Sequence, residues 1–349
     1  MRMRKATGIM DTTRTTSSQH RGRPSRLGFT LVELMIVIAV ILLLMTITIA
    51  AFANFIVTSK EAATAATIAK LNKILQQRKE AFNRLNLKSA AKALNSTNAN
   101  VNATTTKFNL RAAEVIVRKQ RFEIALPQRY EERSLFNGID YKTWFQGLSA
   151  RPNYESSALL YLAITDGETF GAPQVDDDAF TTAEVTSIPI NVNGTTLDLK
   201  YFIDAWGQPL RFYRWPTGLI RGESAGIVDR SYALLLNPTL PPRLANSTAI
   251  DPLKYDPDDP SQFFSMFYLG LPASQQTNFQ SSFNLYFDAA RFHTPLLVSA
   301  GPDRSLGLYE PNDPDRMNGL SVPLPNSGTS STTPLNDNIT NLNQRNKGN

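Results

Sequence analysis

"RLGFTLVELMIVIAVILLLMTITIAAF", residues 26–52, decides how this chain is built. Positions 29–53 are 25 mostly apolar residues with one charge, Glu33. At 1.5 Å per residue, a helix of that length crosses a hydrocarbon core of roughly 30 Å. A secretory signal has a shorter apolar region before its small-residue cleavage site. "TIAAFA" (48–53) does offer small residues, but the run is too long for that reading. A carboxylate in lipid is costly unless it reaches the interface or a partner. Glu33 is therefore either a snorkelling acid on a simple anchor or a residue with a task.

The flanks set an orientation. The 349-residue chain has a net charge of +6. Residues 1–28 hold seven basic groups (Arg2, Arg4, Lys5, Arg14, Arg21, Arg23, Arg26) against Asp11, so the whole excess lies before the apolar run. A basic flank of this kind stays in the cytoplasm and places the chain beyond the span outside. Nucleic-acid binding would need a basic patch on the folded part, where 29 basic and 29 acidic residues balance. There is no cysteine, which excludes disulfides, thiolate metal sites and cysteine catalysis.

The helical pattern continues past the span. Residues 54–94 contain neither Pro nor Gly, and good helix formers dominate. Ile68, Leu71, Leu75, Phe82 and Leu85 recur at helical spacing and form one apolar stripe. A single rod over 29–94 would be about 100 Å long. "NSTNANVNATTT" (95–106) then reads as a loop. Further helices are expected at 109–126 and at 154–164, where Ala158, Leu159, Leu162 and Ala163 share a face.

Strand signals come next. "TTLDLKYFI" (195–203) and "DAWGQPLRFYRW" (204–215) read as a hairpin turning at Gly207–Pro209. "SYALLLN" (231–237), "FNLYFD" (283–288) and "PLLVSAG" (295–301) are further candidates. Residues 323–349 are rich in Asn, Ser, Thr and Pro, with little to bury, and are expected to be disordered.

The stretch Gly28-Phe29-Thr30-Leu31-Val32-Glu33-Leu34, with its basic leader and apolar run, closely resembles the processing site of type IV prepilins and type II secretion pseudopilins. The resemblance implies cleavage after Gly28 by a prepilin peptidase and methylation of the new terminal Phe29. It also implies assembly from the inner membrane into a helical filament, with sibling subunits, membrane lipid and an inner-membrane platform as partners. Glu33 lies one turn from the new ammonium. It would pair with the ammonium of a neighbouring subunit where water is scarce.

The rest resembles the pilin plan more loosely. "DAWGQPLRFY" (204–213) is similar to a hairpin of the major pseudopilins, and "LVSAGPDRSLG" (297–307) to their calcium-binding loop. By that likeness Asp303, Glu310, Asp313 and Asp315 are candidate calcium ligands. Calcium takes six to eight oxygens. The sequence departs from the family at Arg304, where Gly is usual, and in its "YEPNDPDR" run.

One rival is enzymatic. "GESAG" (222–226) matches a nucleophile elbow with Ser224 at its centre, and chain order permits Asp258 and His293 as triad partners. The context is poor, because "WPTGLIR" carries a Pro and a Gly and makes a weak strand before the serine.

The expected architecture is α+β and pilin-like: a long N-terminal helix packed on a small antiparallel sheet with enlarged loops. Its parts are a basic leader (1–28), a transmembrane half-helix (29–53), an amphipathic half-helix (54–94), a globular domain (95–322) and a polar tail (323–349). The expected function is a non-enzymatic filament subunit, single-pass in the inner membrane, with its C-terminal domain periplasmic. The competing reading is a membrane-anchored, outward-facing binding protein that does not polymerise.

Overall fold

A computed structural model of the chain describes residues 30–96, 110–165, 170–214, 259, 263, 270, 295–313, 324 and 337–342. The fold is α+β, a long apolar helix followed by shorter helices and small antiparallel sheets. The chain divides into two units, 1–54 and 55–349. In the first, all side chains over 31–49 are exposed. They belong to α1 (Leu31–Asn83), whose apolar part is long enough to cross a membrane.

In the second unit the predicted stripe lands in the core. Ile68, Leu71, Leu75 and Phe82 are buried, and Leu85 is half-buried against them. The Phe82 ring meets Phe122 at 5.1 Å and Phe170 at 4.7 Å, a packing of aromatic faces and edges. Arg78 is buried on the same stretch and donates to Ile164 O at 2.9 Å and Pro173 O at 3.3 Å. Burial pulls its guanidinium down to about 10.

The single rod to residue 94 is corrected. Arg84 N and Leu85 N reach back only three residues, to Ala81 O and Phe82 O, both at 3.1 Å. This tightens the end of α1. A new helix, α2 (Lys88–Ser96), begins where Lys88 N donates to Asn86 Oδ1 at 3.1 Å. No Pro or Gly is needed, because the short Asn side chain gives the backbone an alternative partner.

Helices α3 (Leu110–Ala125) and α5 (Glu155–Thr165) occupy the two predicted segments. A short α4 (Lys142–Gln146) comes after the two-residue strands β1 (Leu135–Phe136) and β2 (Ile139–Asp140). Buried α5 joins the sheet through its serines. Ser157 Oγ donates to Phe202 O at 3.0 Å and accepts from Phe202 N at 2.9 Å, while Ser156 Oγ accepts from Phe212 N at 3.2 Å. The hydroxyls satisfy backbone groups that a neighbouring strand would otherwise take.

β3 (Val185–Val192) and β4 (Thr195–Phe202) form an antiparallel hairpin over eight pairs. Its turn is Asn193 and Gly194, both at positive φ (52° and 84°), the geometry that matches strand twist. β3 was not among the expected strands. It carries the exposed Pro189, and among the described residues it pairs only with β4.

The hairpin expected over 195–215 is reduced to one bridge around the Gly207 turn, because β4 pairs along its length with β3 instead. Ile203 pairs with Pro209, and Leu210 N donates to Phe202 O at 3.0 Å. The chain continues as β5 (Arg211–Tyr213), which pairs with β6 (Leu296–Ser299) inside the predicted 295–301 stretch. The candidates at 231–237 and 283–288 lie outside the described residues. β7 (Ile339–Thr340) completes the three-stranded sheet on the other side of β6. Residues 337–342 therefore depart from the disorder expected over 323–349: Thr340 is fully buried and Asn338 nearly so.

One buried ion pair anchors the end of β5. Arg214, fully buried, meets Glu132 at 2.6 Å and 2.9 Å. Burial alone would raise the Glu132 carboxyl, but the Arg214 charge and hydrogen bond outweigh it and hold it below the usual range.

Candidate functional site

Gly28 and Phe29 lie outside the described residues. The first described residue, Thr30, closes on Glu33. Thr30 N donates to Glu33 Oε2 at 2.8 Å, and Thr30 Oγ1 donates to the same oxygen at 3.1 Å. Glu33 N in turn donates to Thr30 Oγ1 at 3.2 Å. This reciprocal box satisfies donors that the first turn of a helix leaves open. Its signal, Thr-x-x-Glu before an apolar run, stands in the sequence and was missed there. The acid thus has a local task at the start of α1, and both bonds from Thr30 fall on one of its two oxygens.

The second candidate region is built by the two motifs of the globular part. Asp204 lies just after β4 and is 2% exposed. Its Oδ1 accepts from Trp206 N and Gln208 N, both at 2.9 Å. Its Oδ2 accepts from Ser299 Oγ at 2.7 Å. Burial pushes its carboxyl up, and the bonds from Ser299, Gln208 and Trp206 oppose that without cancelling it. Gly207 turns the loop at φ 78°. Ala205 N reaches Thr64 Oγ1 at 3.1 Å and ties this turn to α1.

The four acids singled out for calcium are placed differently from one another. Glu310 faces Arg211, taking bonds from its Nε at 2.9 Å and Nη2 at 2.8 Å. Asp303 Oδ1 accepts from Ser305 N at 2.7 Å. Asp313 N donates to Glu310 O at 3.1 Å. Asp315 lies outside the described residues. Among the described residues, no three or more His, Cys, Asp or Glu side chains are grouped to hold a metal ion.

The acid that does approach Asp303 is Asp337, which sequence reasoning left in the polar tail. Asp303 N donates to Asp337 Oδ2 at 3.2 Å. Asp337 Oδ1 is buried without a hydrogen-bond partner. Burial, with the nearby Asp303 charge adding to it, raises the Asp337 carboxyl. Ser224, Asp258 and His293, the triad of the esterase reading, all lie outside the described residues.

Residues 23–49 match the family model for the prokaryotic N-terminal methylation motif, the signature of type IV pilins and pseudopilins. That signature marks structural subunits and implies processing by a prepilin peptidase. The motif and the apolar helix are consistent with a membrane-anchored single-pass chain. No curated protein and no solved structure matches the chain.

Proposed function

We propose that the chain is a structural subunit of a type II secretion pseudopilus or type IV pilus-like filament, held in the inner membrane by α1 and assembled through it. The observation that carries this reading is the methylation motif over 23–49, a stretch that contains Gly28, Phe29 and Glu33. The basic leader keeps the amino end in the cytoplasm, so the part after residue 54 faces the periplasm.

Hydrolysis of the Gly28–Phe29 peptide bond by a prepilin peptidase frees an amine on Phe29. That amine takes a methyl group from a sulfonium donor, which departs as a thioether, and it remains cationic. The ammonium of one subunit pairs with Glu33 of the next. Thr30 engages only Oε2 of that acid, which leaves Oε1 to accept the neighbour's charge. The pair strengthens as water leaves, and an unpaired charge is penalised, so the contact sets axial register. Mass spectrometry of the mature amino terminus tests this. A methylated Phe29 is expected. A chain that keeps its first 28 residues, or begins near Ala53, removes the reading. Electron microscopy with an antibody then separates a filament subunit from a processed, membrane-anchored binding protein that does not polymerise.

The calcium ion that the resemblance implies at Asp303, Glu310, Asp313 and Asp315 is proposed here with a different second ligand, Asp337, since Glu310 is engaged by Arg211. What supports it is the buried, unsatisfied Asp337 Oδ1 next to a second carboxylate. Asp303 and Asp337 would hold the cation, which would cancel their repulsion. Carbonyls and water would complete its shell. Calorimetry on the full chain in detergent is the test, and no heat at millimolar calcium eliminates the ion.

A further inference from the structure

Away from the Asp204 turn, the second unit holds a cavity of about 490 Å³ between the α1–α2 break and α3. A volume of that size suits a small organic molecule. Its walls carry four cations, Arg84, Lys88, Arg111 and Arg118, against two carboxylates, Glu114 and Asp259. Both acids are engaged. Glu114 meets Arg111 at 3.7 Å, and Asp259 Oδ1 accepts from Phe263 N at 2.8 Å. Arg84, Lys88 and Arg118 are left without a carboxylate partner among the described residues.

The surroundings orient this cationic wall. The Arg118 guanidinium lies 5.1 Å from the centre of the Phe82 ring, whose face restrains it beside the cavity. Arg84 and Lys88 stand on the irregular stretch after α1, where Asn86 Oδ1 takes Lys88 N. Leu85, Val115 and Phe263 give the same cavity an apolar part. Three cations around one space repel one another, and an anion that enters relieves the repulsion. Guanidinium forks match the oxygens of a phosphoryl group in pairs, and an ammonium adds a point charge. A phosphate monoester brings close to two negative charges, where a carboxylate brings one.

We propose that this cavity binds an organic phosphate monoester, its phosphoryl group held by Arg84, Lys88 and Arg118 and its organic part by Leu85, Val115 and Phe263. The site is independent of the filament reading.

Calorimetry on the full chain in neutral detergent, titrated with phenyl phosphate, tests it. Binding is expected and should weaken with added salt. Inorganic phosphate should bind several-fold more weakly. Arg118→Gln and Lys88→Gln should each lower affinity about tenfold. Lys88 is exposed, so its variant reports binding without a burden on folding. Lys200→Gln, at a cation paired with Asp177 on β4, should leave the affinity unchanged. No heat at millimolar phenyl phosphate overturns the proposal, as does wild-type affinity in both cavity variants. Equal affinity for inorganic phosphate overturns the organic part. Nanodiscs identify where the monoester comes from. Phenyl phosphate binding that weakens several-fold in discs with phosphatidic acid, relative to phosphatidylcholine alone, assigns the site to a lipid headgroup. Unchanged binding assigns it to a free molecule.

Discussion

Ser299 Oγ donates a 2.7 Å hydrogen bond to Asp204 Oδ2 across 95 residues of sequence. The contact joins the "DAWGQP" turn to the "SAGPD" loop, so the two motifs form one structural unit. Ser299 Oγ also accepts from Gly301 N at 3.1 Å, and the link thereby reaches the loop that carries Asp303. Asp204 is the hub, with two backbone donors on one oxygen and the serine on the other.

Asp204→Ala should cost about 2–4 kcal/mol, because the half-buried Trp206 and Gln208 amides and the buried Ser299 hydroxyl lose their acceptor. Asp204→Asn keeps the shape and should stay within about 1 kcal/mol of wild type. The Asp204 carboxyl is raised in the fold. Its contribution is therefore full below the unfolded carboxylate value and is lost as pH rises through the folded one. Chemical denaturation between acid and neutral pH should show Asn gaining on Asp as pH increases. A constant gap between the two would contradict this assignment.

Glu132→Gln removes the nearer of the two carboxylates facing the buried Arg214 guanidinium and leaves Glu123 at 3.8 Å as its remaining counter-charge. A loss of about 2–4 kcal/mol is expected. The Glu132 carboxyl is lowered in the fold. The wild-type pair is thus stabilising above the unfolded carboxylate value and fails as pH falls through the folded one. Acid unfolding should consequently be less steep in the variant, as read by far-ultraviolet circular dichroism.

Gly301 has φ 70°, and a Cβ there would lie 2.4 Å from Asp337 O. Gly301→Ala should cost about 1–2 kcal/mol in backbone strain alone. It should also push residues 337–342 off the sheet. Hydrogen exchange is the readout: the Asn341 amide, which donates to Leu297 O at 3.4 Å, should lose protection while the α5 amides keep theirs. Equal protection at Asn341 in variant and wild type would count against the close approach.

Glu33→Gln separates two tasks of one residue. Gln serves in a capping box as Glu does, so α1 should start unchanged and cleavage after Gly28 should proceed. The pairing charge is gone, and filament yield should fall about as far as in Glu33→Ala. Immunoblots of processing beside filament counts check both halves. Normal filaments from the Gln variant would show that the charge is dispensable.

Helix α1 and the burial of its stripe were legible because a 3.6-residue repeat of large apolar side chains leaves little choice of face. α3 and α5 were legible for a related reason, as compact apolar runs bounded by polar or Pro-containing segments. The β3–β4 hairpin was missed although Asn193-Gly194, flanked by alternating residues, marks it; Pro189 inside β3 and the stronger aromatic run nearby mask that signal. The break at 84–87 rests on one Asn side chain and carries no Pro or Gly. The seating of "DNITNL" (337–342) was least legible. Its polar groups find partners only through contacts made far along the chain, as Asn341 does with Asn72. In the candidate site, the Thr30–Glu33 box is a local pattern, whereas the approach of Asp337 to Asp303 is a product of tertiary structure.

Pro189 has no N–H to offer a further strand, and it stands exposed on β3. In the proposed filament the chain would be crowded beside its own copies, where a sheet margin that is open among the described residues invites growth in a wrong direction. The imino ring discourages that side reaction and leaves the helix as the adhesive surface. Replacing it with Thr would remove the guard, and amorphous or amyloid-type deposits would then compete with ordered fibres for the same pool of subunits.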